Sequence, residues 1–195
     1  MPVGRPRAFD IDQALDRALQ VFWRKGYEGT SLSDLTKAMG INRPSLYAAF
    51  GNKEDLFRKA LDRYAEGPAA YTRTALDEPT ARAVVERLLH GVVDLLSDPC
   101  TPQGCLAVQG ALACGDAADA IRQELVARRA AGEVALRQRL ERAIADGDLP
   151  ANAAAADLAR YVTTVSQGMA VQAAGGASRE ELQRVAEMAL RAWPA

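Results

Sequence analysis

With 195 residues, 49% of them hydrophobic and 25% charged, the chain is long enough for one large helical core or two smaller ones. No stretch approaches the roughly 18 uninterrupted apolar residues of a membrane-spanning helix, and the charged N-terminus lacks the apolar run of a signal peptide. A net charge of −1 does not by itself suggest a nucleic-acid partner, and three cysteines make no disulfide scaffold, so a reducing cytoplasm is the expected setting.

The chain opens on a short basic arm, Gly4-Arg5-Pro6-Arg7. Asp10 then precedes Ile11, Leu15, Ala18, Leu19 and Phe22, spaced as one face of a helix. That helix ends at Gly26, with Arg24 and Lys25 in the last turn, where the helix dipole favours cations. Ser31 and Asp34 form a capping box, and Leu32, Leu35, Ala38 and Met39 give the next helix a buried face. Gly40 stops it. Ile41 anchors a tight turn, Asn42 caps a short helix with Pro44 in its first turn, and Arg43, Ser45 and Tyr47 point outward. Helix, tight turn and short polar-faced helix together make a helix-turn-helix. A fourth helix starts near Asn52 and carries Leu56, Phe57, Ala60 and Tyr64.

Gly67-Pro68 is expected to break or kink this fourth helix. A fifth helix follows from about Thr80 to Ser97, then a breaker-rich loop at residues 98–104 and a short sixth helix from Cys105 to Cys114. The seventh runs from about Asp116 to Ala145, with Ile121, Leu125, Leu136, Leu140 and Ile144 inward and an arginine-rich outer side. The last pair spans about Ala153–Ala174 and Ser178–Ala192, the second opened by a capping box of Ser178 and Glu181. Charge is distributed unevenly: residues 1–64 hold eleven basic and eight acidic side chains, and the remainder holds 13 and 17. All four lysines lie in the first part. A basic head on an acidic body fits a DNA reader.

Phe22, Gly26, Thr30, Ser31, Gly40-Ile41, Ser45-Leu46-Tyr47, Phe50, Asn52-Lys53-Glu54 and Leu56 together resemble the TetR-type bacterial transcriptional regulators. The resemblance covers roughly the first third of the chain. It implies an all-α protein of about nine helices, with a helix-turn-helix domain over residues 1–66 and a helical ligand-binding and dimerisation domain over 67–195. It further implies a homodimer that releases double-stranded DNA when a small-molecule effector occupies the second domain, most simply a repressor.

In a two-fold dimer, paired recognition helices enter the major groove one helical turn or a small multiple apart, so the operator is expected to be an inverted repeat. Arg43 is the candidate for guanine, through O6 and N7. Pro44 beside it belongs to the same contact face, Ser45 reaches a base edge or a phosphate, and Tyr47 matches the family's phosphate-binding tyrosine. Thr30, Ser31 and Lys53 sit at helix N-termini, where amides and dipole favour an anion. Arg5 and Arg7 either reach a minor groove or neutralise phosphates, or form a solvated tail.

On the last two helices, Leu158, Val162, Val165 and Met169 on one, and Leu182, Val185, Ala189 and Trp193 on the other, fit either a dimer interface or ordinary intrachain core. Gly168 would permit close approach, and the family resemblance favours the dimer, as a four-helix bundle. His90, Gln109, Tyr161 and Gln167 are polar side chains on apolar helices and are candidates for lining the effector pocket.

Cys105 offers an alternative switch. Gly104-Cys105-Leu106 places a thiol at a helix N-terminus, where the dipole favours thiolate, and some family members with a similar segment sense oxidants or electrophiles. Cys100 lies close enough in sequence to pair after a loop adjustment. Cys105 and Cys114 would lie on opposite faces of one helix, about 13 Å apart by axial rise. No metal-binding spacing, phosphate loop or nucleophilic triad is present, and the single histidine cannot hold zinc alone, so neither enzyme chemistry nor a cofactor is expected. A helical adaptor without DNA binding would leave Arg43, Tyr47 and Lys53 unexplained.

Overall fold

The structure is a computed structural model that describes residues 9–112 and 118–194. Arg5, Arg7 and Cys114 lie outside the described residues. Ten α-helices are found among those described: α1 (Ile11–Lys25), α2 (Leu32–Met39), α3 (Arg43–Phe50), α4 (Lys53–Glu66), α5 (Tyr71–Thr74), α6 (Ala81–Ser97), α7 (Leu106–Leu112), α8 (Asp119–Ala145), α9 (Ala155–Ala174) and α10 (Arg179–Arg191). The helix beyond the expected nine is α5, a single turn that runs into a 3-10 turn at Ala75–Asp77. One turn is too short to show a periodicity. It is held in place by Tyr71, whose ring packs so closely on Gly91 that an added Cβ there would lie 2.3 Å from it.

Local signals set the helix ends. The side chains of Asp10, Asn42 and Asn52 each accept a backbone N–H three residues on, at 3.1, 2.9 and 2.9 Å. Ser31–Asp34 and Ser178–Glu181 form the expected capping boxes, and Asn52–Asp55 forms a third. Gly40 closes α2 in the left-handed region, φ 69°, which glycine adopts without a Cβ clash. One cap comes from far along the chain. The Asp148 carboxylate, in the turn after α8, accepts the Ala81 N–H at the start of α6 at 2.5 Å.

Two apolar clusters hold the chain together. One gathers Phe22, Leu35, Leu46, Phe50, Leu56 and Phe57 of α1–α4, and it also takes in Leu95, Leu106, Ile121 and Leu125 from α6, α7 and α8. The other lies among α6, α8, α9 and α10, around Val84, Leu89, Leu140, Val162, Leu182 and Trp193. The first cluster therefore runs beyond residue 66, so the end of the head is packed against the start of the body.

Candidate nucleic-acid interface and effector cavity

The candidate recognition element is assembled from opposite faces of α3. Leu46 and Phe50 are buried and fix the helix on the head core, while Arg43, Pro44 and Tyr47 are exposed and Ser45 is half-buried. With eight residues and two buried anchors, α3 has little freedom to turn, so those four side chains share one outward surface. Ser45 contributes its N–H to the Asn42 cap at 2.9 Å, and none of its hydroxyl's capacity is spent there.

Lys53 stands at the first position of α4, with its ammonium 4.3 Å from the centroid of the Tyr27 ring. Burial lowers its pKa and the Glu28 charge partly opposes that. Ser31 is exposed, but its hydroxyl bonds Asp34 in both directions, accepting the Asp34 N–H at 3.0 Å and donating to the carboxylate at 2.8 Å. The Lys25 ammonium bonded to Asp34 at 2.7 Å, followed by the Ser31 N–H, holds that carboxyl well below the usual range.

Thr30 departs from expectation. It is 1% exposed, and its hydroxyl donates to the Gly26 carbonyl at 2.6 Å. A hydroxyl proton spent on closing the C-terminal turn of α1 is not available to a phosphate.

The seam between head and body is polar at three points. The Trp23 indole N–H of α1 donates to the Gly104 carbonyl at 2.8 Å. The Tyr64 hydroxyl of α4 donates to the Cys105 sulfur at 3.3 Å. Arg58 of α4 donates to Glu124 of α8 at 2.8 Å, and Arg128 bridges Glu124 and Asp62 at 2.9 and 2.8 Å. Burial pushes the Glu124 carboxyl up, but the hydrogen bonds from Arg58 and Arg128 outweigh it and hold it below its ordinary value. Burial raises the pKa of the Tyr64 and Tyr71 phenols above the ordinary value.

Beyond the seam lies a cavity of about 360 Å³ bounded by α5–α9. Its walls are chiefly apolar, from Leu88, Val92, Leu96, Leu136, Val162 and Ala170, with Cys105 and Gln167 among the few polar groups. Of the sequence-derived pocket candidates, these two reach it. His90 is exposed on the other side of α6, in a shallow cleft with Glu86, Asp94 and Asp98. Tyr161 is 38% exposed on α9, and Gln109 packs against Gly104 instead. The sequence reading missed Arg73, Arg129, Glu133 and Thr163 in the wall. On an arginine-rich helix such as α8, nothing local separates an arginine that faces a cavity from one that faces water. Cys100 is exposed and Cys105 half-buried, and both are free thiols.

The last two helices are also sorted by the structure. Val162, Met169, Leu182, Ala189 and Trp193 are buried in the chain's own core, with Leu158 and Val165 packed against it. Val185 alone of the eight expected residues is largely exposed. The large apolar side chains left uncovered on these helices are Tyr161, Val171, Val185 and Met188, and a Cβ added at Gly168 would meet nothing within 4 Å.

Comparison with known proteins agrees along the whole chain. Residues 14–60 match the model for bacterial regulatory proteins of the tetR family, and residues 78–189 match that for the tetracyclin repressor-like C-terminal domain. The HTH-type transcriptional repressor ComR of Escherichia coli strain K12 is 37% identical over 193 residues, 98% of this chain and 92% of that protein. The repressor BdcR of the same organism is 37% identical over 109 residues, 55% of each chain. A cysteine mutant of the TetR family regulator CifR, solved in complex with a 26bp double-strand operator DNA, superposes with a TM-score of 0.93. It is 48% identical, and the match covers 98% of this chain and 100% of that one. With the helix-turn-helix, the helical body and these relatives in agreement, the chain belongs to the TetR family of bacterial transcriptional regulators.

Proposed function

We propose that the chain is a homodimeric repressor that holds an inverted-repeat operator through residues 1–66 and releases it when a small molecule enters the cavity of residues 67–195. The observation that carries this reading is the division of α3, with Leu46 and Phe50 buried behind it and Arg43, Pro44, Ser45 and Tyr47 in front. Arg43 bonds guanine, Tyr47 and Lys53 bind phosphates, Ser45 reaches a base edge or phosphate, and the exposed Ser31 adds the N-terminus of α2. The operator complex of the CifR mutant supports the same docking here. Dimerisation uses the uncovered faces of α9 and α10, and the protein works in the cytoplasm.

The effector acts through the seam. A ligand shifts the DNA-binding equilibrium only by its difference in affinity for the two states. The cavity wall at Cys105 is bonded directly to α4, and its neighbour Gly104 to α1, so a displaced wall moves the head. The test is a fluorescence-anisotropy titration of the upstream DNA. Arg43→Ala is expected to weaken binding roughly 5- to 150-fold, the equivalent of about 1–3 kcal/mol, with the melting temperature unchanged. Equal affinity of the native protein for a shuffled sequence, or of the variant for the operator, would overturn the reading.

A second reading rests on the place of Cys105. Its side chain both lines the cavity and receives the Tyr64 hydroxyl, so a group added to the sulfur would break a head–body bond. Loss of operator binding on treatment with an electrophile, retained in Cys105→Ser, would make the thiol the switch.

A further inference from the structure

Resting on the regulatory reading above, we infer that the effector is an apolar molecule carrying one carboxylate, which pairs with Arg129. The cavity combines an apolar wall with two guanidinium groups, those of Arg73 and Arg129. Arg129 makes one hydrogen bond among the described residues, from Nη1 to the Ala107 carbonyl at 2.8 Å. Among the described residues no carboxylate pairs with it, nor with Arg73. The nearest candidate by sequence is Glu133, one turn further along α8 and also in the wall, the usual spacing for a helical ion pair. It is committed elsewhere. Glu133 Oε1 accepts from Arg160 Nε and Nη2 at 3.1 and 2.7 Å.

Among the described residues, the remaining polar side chains of the wall carry no negative charge. The hydroxyls of Thr163 and Ser166 donate to carbonyls of their own helix at 3.0 and 2.9 Å. A half-buried guanidinium with one neutral acceptor has further N–H donors to offer an anion beside an apolar wall. Carboxylate matches the planar fork of arginine and gains from the low local dielectric. A volume of about 360 Å³ is at the small end of ligand sites, which suits a compact acid. Arg129 also holds Ala107, two residues beyond Cys105, so an anion drawn to it acts on the same seam.

The test is calorimetric titration of the full chain with octanoate and phenylpropanoate, each paired with its alcohol, octanol and phenylpropanol. At least one acid is expected to bind about tenfold or more tighter than its alcohol, a difference of about 1.4 kcal/mol. In Arg129→Gln, that acid should fall to the affinity of the alcohol, while the helix content stays as in the native protein. Alcohols that bind as well as the acids, two acids that fail to bind, or an Arg129→Gln variant that keeps the preference would each overturn the inference. Anisotropy of operator DNA with and without the acid reads the regulatory step separately. Binding of the acid that leaves DNA affinity unchanged would support the carboxylate site and sink the release mechanism.

Discussion

Arg139 and Thr30 are the two polar side chains buried among the described residues, and both act on backbone carbonyls. Arg139, 8% exposed, reaches from α8 to the carbonyls of Leu76, Glu78 and Pro79 at 3.2, 2.8 and 3.1 Å. It thereby fixes the turn between α5 and α6, next to the cavity. Arg139→Met keeps the apolar stem and strands those acceptors, so it should cost about 2–4 kcal/mol. Calorimetry should find the melting temperature lowered by roughly 5–15 °C, while Arg142→Met on the exposed side of α8 should leave it almost unchanged. Neither buried role was legible from sequence. The carbonyls that receive Arg139 lie some sixty residues away, and Thr30 sits at a position that reads equally well as a phosphate ligand. The exposed side of α3 was legible, because the exposure of Arg43 and Tyr47 follows directly from which α3 positions must be apolar.

At the scale of elements, what could be read was whatever is local. Caps at Ser31, Asn42 and Ser178 are decided within four residues, and each is legible in the sequence. Faces are a harder matter. Periodicity marks an apolar stripe on α9 or α10 without saying whether the stripe meets the same chain or a second copy. Here most of it meets the same chain, and the apolar surface left uncovered is narrower, built on Tyr161, Val171, Val185 and Met188. Met188 is 64% exposed in the single chain, so an aspartate there is compatible with the monomer fold. In a dimer it would bury an unpaired charge. Met188→Asp should therefore shift the native dimer to monomer in analytical ultracentrifugation, with helix content retained and operator affinity lost alongside. A dimer of unchanged strength would place the interface on another face.

At the scale of the molecule, head and body were legible as a charge asymmetry and as a family pattern, but their junction was not. The boundary expected near residue 66 falls inside a continuous apolar cluster, where Leu95, Leu106, Ile121 and Leu125 pack with the head helices. Such a junction transmits small displacements, because a close-packed interior does not deform freely. Its polar bonds give it direction, from the cavity wall at Cys105 to α4, and from Gly104 to α1.

The bond from Trp23 to Gly104 also makes the protein observable. The chain has two tryptophans, and the other, Trp193, is buried in the body with an indole N–H that has no acceptor among the described residues. Replacing Trp193 with phenylalanine thus forfeits no hydrogen bond to a described residue and leaves one emitter, at the contact between the effector half and the DNA half. Indole emission responds to hydrogen bonding and to nearby water. In Trp193→Phe, the fluorescence of Trp23 should report the release signal as it crosses the molecule, without a label and without DNA.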